Sequence, residues 1–552
     1  MEPTKIQSTI IQSEGNIVVL ASPGSGKTFV LSQKIRRVLK DESMLDYQGV
    51  IAISYTRKAS ANLKRRTLGD GLQNKNSFFG TIDNFCLTQI VESYAHYVFG
   101  YPSKDVDVKS IVDLSQKERQ RFEWITTVHP DYRCIDEAQI ENLKDLFLQG
   151  IVLVESLELL ALHVIKKSLA CQKYLKARYK YIFIDEYQDA DTYINELFLL
   201  LINMGMTGTA VGDVNQSIFG FAHKNSIYLK SLEDNPDFST FTLNDNFRCA
   251  IPIINYSNRL LDENCQIVDT NEDGMFLVRV NGSEYDIADY IDNEIGNIKA
   301  RWHVTDNSEI AILVKNERTQ KIIDESLEIP HRVVKTTPLD MDLNPKSRLY
   351  TFLLRYCLDD KMSFLSILDE YVDYEILTEY TKRRLYEESL VIKSYKIEDG
   401  NIDQLSTHFN SIADILLPKI HNGTSIQKLY EVLNNKKDLE SYRPLSNDEI
   451  QLMTLHKSKG LEFDVVFHLN MSDWELPTKK VEKNDFNNPL YPNWNQDLNL
   501  HYVGITRARK ACFLVRGTKR TNFNGILKNA KDSEFLGIHG LDLMRKEILY
   551  GF

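Results

Sequence analysis

The chain has 552 residues, 43% of them hydrophobic and 26% charged, with a formal net charge of −11. That length exceeds one compact core and predicts three or four globular domains, while the acidic balance excludes binding a polyanion by global attraction, so any nucleic-acid contact needs a local basic track. Seven scattered cysteines without a C-x-x-C, no apolar run near the ~20 residues of a membrane span and no basic-then-apolar leader predict a reducing cytoplasmic location, no membrane contact and no zinc or iron–sulfur site.

The first informative stretch is "NIVVLASPGSGKT". Ile17 to Leu20 read as a buried strand, Ala21, Ser22, Pro23, Gly24, Ser25 and Gly26 as a small-residue loop, and "FVLSQKIRRVLK" as a helix. Strand, loop and helix in that order form a phosphate-binding loop. Gly24 and Gly26 let backbone N–H groups turn onto phosphate oxygens, Lys27 reaches the β and γ phosphates, Thr28 binds Mg²⁺, and the helix dipole favours the anion. Ala21 stands where the strict G-x-x-x-x-G-K-[ST] pattern has its first glycine.

A helix-rich insert follows, read from "KERQRFEWITTV", "EAQIENLKDLFLQGI" and "SLELLALHVIKKSLA". Then "YIFIDEYQDADT" breaks from an apolar run into four acids. With a nucleotide site upstream, a second parallel strand places Asp185 as the Mg²⁺ ligand and Glu186 as the group that polarises the attacking water. Gln188 and Asp189 couple the site to neighbouring loops, and Asp191 is a solvated turn residue or helix cap for "YINELFLLL". Farther on, "EIAILVKN" and "VVFHLN" read as buried strands, separated by a second helical stretch ("LYTFLLRYCLDD", "TEYTKRRLYEESLVI").

From about Gln7 to about Lys510 these motifs, in this order, resemble the UvrD/Rep/PcrA-like branch of superfamily-one helicases. The resemblance implies an α/β fold of two RecA-like P-loop domains with parallel sheets, each interrupted by a helical insert. The expected segments are 1–90 and 171–240 for the first RecA-like domain, 91–170 for its insert, 241–345 and 446–552 for the second, and 346–445 for a reduced second insert. Gln7 in "PTKIQSTII" would read the adenine edge. Gln216 stands at the γ-phosphate sensor, Arg248 in "LNDNFRC" and Arg507 in "HYVGITRARK" look like the two arginine fingers, and Glu462 would hold the ribose hydroxyls. Thr56 and Arg57, Thr81 and Phe85, Phe221, and Thr454 and His456 correspond to the DNA-contacting positions, Phe221 stacking on a base. Lys459 would face the DNA backbone or the interdomain cleft.

The chain departs from the family at four places. Asp83 and Asn84 replace a His and a Ser, Ala222 replaces an arginine, and "NQDLNLHYV" lacks the usual acidic-then-basic run before Y-V-G-x-T-R. The small second insert, and the short stretch after Arg507 with no nuclease domain fused, are similar to the helicase-like subunits of Gabija-type antiphage systems, which pair with a separate nuclease subunit. The resemblance implies ATP and Mg²⁺, single-stranded or partly duplex DNA, and two readings that the sequence leaves open: a 3′–5′ translocase, or a nucleic-acid-sensing NTPase subunit controlling a partner nuclease. A small-molecule P-loop kinase would need neither arginine.

Overall fold

The structure, a computed structural model, describes residues 2–552 except 128–130, 219–225, 343, 373, 375–376, 396–401, 419 and 483–487; the side chains of Arg57, Lys58, Asp70, Thr127 and Asp369 also lie outside the described set. Two parallel sheets organise it. The first begins with β1 (Asn16–Ala21), β2 (Gly49–Ile53) and β3 (Phe78–Gly80). An insert follows, in which β4 (Asp107–Lys109) and β5 (Ile151–Leu153) pair in parallel, a small sheet that helical periodicity did not predict. The chain then returns through β6 (Tyr179–Ile184), β7 (Thr207–Gly212) and β8 (Phe238–Leu243), giving the order β3-β2-β6-β7-β1-β8.

The second sheet contains β9 (Met275–Val280), β10 (Ile310–Val314), β11 (His331–Val333), β12 (Ile450–Thr454), β13 (Phe463–His468) and β14 (Ala508–Gly517). Its edge is β17 (Lys546–Tyr550), after a hairpin of β15 (Lys519–Thr521) and β16 (Leu527–Asn529). The order is β11-β12-β10-β13-β14-β9-β17. Strands such as "GVIAI" and "IAILV" are buried at every position, the continuous apolar pattern of sheets covered on both faces. The α/β fold of two RecA-like domains is therefore as expected.

Five helices position the site: α1 (Lys5–Gln12), α2 (Lys27–Leu39), α3 (Arg57–Leu68), α4 (Thr192–Asn203) and α5 (Trp494–Ile505). Lys34 of α2 is buried and donates to the carbonyls of Ile10 and Ser13, at 3.1 and 2.7 Å. Burial, and then the nearby Arg37, lower its pKa to about 8. It fixes α1 against the helix that begins at the phosphate loop. The residues between β11 and β12 form helices with their own core, including Leu353, Phe409 and Val432. Within this stretch, Asn344 Nδ2 donates to the buried Asp107 of β4 at 3.3 Å.

Candidate nucleotide site between the two sheets

The loop after β1 turns through two left-handed glycines, Gly24 (φ 70°) and Gly26 (φ 86°), and Gly26 caps α2. At such φ values a side chain is strained, and a Cβ on Gly24 would also lie 2.4 Å from Asn246 Oδ1. Lys27 and Thr28 open the helix, as the spacing predicts. Gln7 is tied to the loop from α1. Its Oε1 accepts from Thr4 N–H and its Nε2 donates to the Ser25 carbonyl, each at 3.0 Å, and the residue is 5% exposed. It braces the phosphate loop, and its amide keeps one further N–H and one further lone pair beyond these two bonds.

The acids at the end of β6 lie at the same sheet end as that loop, with β7 between β6 and β1, so the two strands are not direct neighbours. Asp185 is buried and accepts the N–H of Glu186 at 3.0 Å, while Glu186 adopts a left-handed backbone (φ 57°). A non-glycine residue held there is strained, a feature that clusters at functional sites. Burial, and then Glu186, push the Asp185 carboxyl upward against the pull of Lys27. For Glu186, burial acts upward too, but Lys27, Lys459, the Gln188 hydrogen bond and Arg507 outweigh it and hold the carboxyl below its usual range. One of the two neighbouring acids is thus kept ionised by four separate groups. Asp191 caps α4 by accepting Ile194 N–H at 2.9 Å.

Gln188 links these acids to the next strand. Its Nε2 donates to Glu186, and its Oε1 accepts Asp213 N–H at 2.9 Å at the end of β7. Three residues on, Gln216 is 2% exposed. The side-chain atoms Ser25 Oγ, Asp213 Oδ2 and Gln216 Nε2 are buried and have no hydrogen-bond partner among the described residues. They sit at the C-terminal ends of neighbouring strands, where nucleotides bind in such sheets. Buried polar atoms normally have partners, so the donors Ser25 Oγ and Gln216 Nε2, with Lys27 and the two left-handed glycines, fit a phosphate chain. Thr28 and Asp185 supply the hydroxyl and carboxylate oxygens that suit Mg²⁺.

The second domain completes the cleft. Phe247 N–H donates to the Gly24 carbonyl at 2.9 Å, which places "NFR" directly against the phosphate loop. Arg248 pairs with Glu462 at 2.6 Å. Glu462 is therefore engaged with the guanidinium where the resemblance assigns it to ribose. Arg507 is 1% exposed and donates to the carbonyls of Val503 (3.0 Å) and Leu461 (3.2 Å) and to Gln216 Oε1 (3.4 Å). Burial, and then the neighbouring Arg248, lower its pKa to about 10, so it stays cationic at neutral pH. Two cations close together with one deeply buried form a place for an anion. Lys459 also crosses the cleft, meeting Asp189 Oδ2 at 2.5 Å and the Gln216 carbonyl at 2.8 Å.

Sequence reading missed Phe247. It is 54% exposed beside the phosphate loop and offers an apolar face; the signal was its place between Asn246 and Arg248.

The DNA-contact expectations divide. Phe85 is corrected: it is fully buried, packed edge-on to Phe78 and Tyr179 at ring-centroid distances of 5.2 and 6.1 Å, and cannot meet a strand. The spacing of Ile82, Phe85 and Ile90 is a helix-face pattern that already pointed inward. Thr56 and Thr81 are helix caps, their hydroxyls accepting from Ala59 (3.2 Å) and Asn84 (3.4 Å) N–H groups. Thr454 ends β12 and is 8% exposed. His456 follows it, and burial, then Lys315, lower its pKa, leaving it neutral at pH 7. Phe221 and Ala222, and the side chain of Arg57, lie outside the described residues. Among the described residues no helix is long and apolar enough to cross a membrane.

Comparison with known families agrees with this geometry. The profile of the UvrD-like helicase C-terminal domain matches residues 359–517, and that of an AAA domain matches residues 5–222. The Gabija protein GajB of Bacillus cereus (strain VD045) is 26% identical, the match covering 93% of this chain and 95% of that protein. The ATP-dependent DNA helicase PcrA of Staphylococcus epidermidis is 23% identical across 95% of this chain and 84% of the relative. The ATP-dependent DNA helicase Rep of Buchnera aphidicola subsp. Baizongia pistaciae is 25% identical, covering 95% and 92%.

Proposed function

We infer that this UvrD-like helicase chain hydrolyses ATP in the cleft between its two RecA-like sheets and uses the cycle to move along single-stranded DNA in the cytoplasm, in the 3′–5′ direction. The observation that carries the reading is the convergence at one cleft of the phosphate loop, the Asp185–Glu186 pair, Gln216 and two second-domain guanidiniums, Arg248 and Arg507. A nucleotide there is contacted by both domains, so its hydrolysis changes how they fit together.

In this mechanism Lys27 holds the β and γ phosphates, and the exposed face of Phe247 stacks on the base. Thr28 and Asp185 would hold Mg²⁺, which supplies charge neutralisation on the phosphates when bound. Glu186, ionised at neutral pH, accepts a proton from the attacking water. The water oxygen bonds to the γ phosphorus as the bond to the ADP oxygen breaks. Arg248 and Arg507 stabilise the charge on the transferring group, and Gln216 Nε2 reads whether a γ-phosphate is present. Thr454, His456, Thr56 and Arg57 would track the DNA backbone.

The test is ATP hydrolysis with and without single-stranded DNA, on the full chain and its Lys27→Ala variant. Strong stimulation by DNA, lost in the variant, is expected; hydrolysis indifferent to DNA overturns the motor reading. The likeness to GajB over nearly the length of both chains favours a second reading, an NTPase subunit of an antiphage defence complex that controls a partner nuclease with little unwinding. A strand-displacement assay beside the ATPase assay separates them, because a sensor hydrolyses ATP on DNA without displacing a strand.

A further inference from the structure

The stretch from Asp213 to Ile218 leaves β7 and crosses the cleft. Val214 packs against the core of the first domain, but Ile218, fully buried, belongs to the core of the second, with Leu455, Tyr502 and Val503. At its start the stretch is tied to its own domain through Asp213 N–H on Gln188. Its far end is held by the second domain. Lys459 Nζ donates to the Gln216 carbonyl (2.8 Å), Asn499 Nδ2 to the Ser217 carbonyl (3.0 Å) and Gln496 Nε2 to the Ile218 carbonyl (3.1 Å). Arg507 meets the side chain of Gln216 itself.

Gln496 and Asn499 lie three residues apart on α5, so they share one face of the helix. One turn on, the Val503 carbonyl accepts Arg507 Nε. One rigid helix therefore carries two amide donors that grip the sensor segment and ends at the arginine that touches the sensor. These two residues fall within the run where the sequence departs from the acidic-then-basic pattern of the family.

We propose that Gln496 and Asn499 are positioning residues that clamp the Ser217 and Ile218 carbonyls to the second domain, so that Gln216 moves as one unit with Arg507. The inference rests on the ATP-hydrolysing reading above. Its physical content is that the sensor follows the second domain. When the cleft opens, Gln216 is drawn away from Glu186 together with the arginine, and hydrolysis is confined to the closed state.

The experiment is steady-state ATP hydrolysis by the full chain with saturating oligothymidylate, for wild type, a Gln496→Glu/Asn499→Asp double variant, and Asn499→Arg. The double variant keeps side-chain shape but aims acceptors at carbonyl oxygens, while arginine keeps an N–H donor. The double variant should lose kcat about tenfold, with KM for ATP within about twofold of wild type, as expected when geometry and not ground-state binding is lost. Asn499→Arg should keep kcat within about twofold of wild type. A Gln496→Ala/Asn499→Ala variant with an unchanged melting temperature gives the same readout should the acidic pair fold poorly. Wild-type kcat in both double variants overturns the proposal, as does an equal loss in Asn499→Arg, or a rise in KM matching the fall in kcat. A wild type that hydrolyses no ATP sinks the functional reading itself, a distinct result that takes this inference with it.

Discussion

Lys459→Met should slow ATP turnover far more than its distance from the phosphate loop suggests. In the closed cleft Lys459 Nζ sits 2.5 Å from Asp189 Oδ2, with side chains 7% and 0% exposed. At an effective dielectric of ~20 such a pair attracts by about 7 kcal/mol. Several kcal/mol per ion are lost in taking each from water, so the net worth of the intact pair is small. Removing only the lysine leaves the aspartate charge buried without its counter-ion, which costs about 3–5 kcal/mol. Water reaches Asp189 when the domains separate, so the penalty falls on the closed state and kcat/KM drops at least about 100-fold. A double-mutant cycle with Asp189→Asn is the assay, because the asparagine alone removes the charge that makes the lysine necessary. The double variant should recover at least about 1.5 kcal/mol relative to the sum of the single changes, within the range of contacting pairs. Strict additivity would refute the argument, as would a fall in kcat/KM below about threefold for Lys459→Met. Lys459 also helps hold Glu186 ionised, so the acid limb of the pH–rate profile should move to higher pH in the variant.

Three further outcomes are expected. Glu186→Gln should abolish hydrolysis while leaving ATP affinity within about threefold of wild type, measured by equilibrium binding, since the amide cannot take the proton of the attacking water. Phe85→Ala should lower unfolding free energy by about 3–5 kcal/mol, the scale of a buried aromatic deletion, in denaturant titrations, and leave DNA affinity unchanged at temperatures where it stays folded; selective loss of DNA binding would return Phe85 to the strand track. His468, buried against His501 at 3.0 Å, has its pKa lowered by burial to about 4. The unfolded chain therefore takes up this proton first, and stability present above pH 6.5 is lost as pH falls toward 4, by about 3 kcal/mol from this residue. His468→Gln should flatten the stability curve between pH 6.5 and 5, and an unchanged slope would remove the histidine from the account.

The sequence was most legible where a residue's job is set by its immediate neighbours. Lys27, Thr28 and Asp185 follow from strand, turn and helix in fixed order, and the structure puts them at the same end of one sheet, on strands with β7 between them. Apolar runs at β1, β10 and β13 announced buried strands. It was least legible where a side chain is claimed by something distant. Gln7 also holds the Ser25 carbonyl, 18 residues away, a contact that no local pattern announces. Phe85 lies in a motif whose Thr81 caps a helix, and Tyr179 draws it inward from more than ninety residues along the chain. The small β4–β5 sheet was invisible because three-residue strands leave no periodicity to read.

The departures from the family pattern bear on this. A run such as "NQDLN" weakens a motif match when read locally, because the expected charges are gone. In the fold it is split between two tasks. Asp497 turns inward to pair with Lys315 at 2.7 Å and accept Thr478 N–H at 2.6 Å, fixing α5 to its own domain. Gln496 and Asn499 turn outward to the carbonyls of the other domain. An amide supplies the N–H donor that these carbonyls need. A carboxylate there would point acceptor at acceptor. The neutral donor is the side chain that binds the sensor strap while leaving the electrostatics of the site to the residues that meet phosphate.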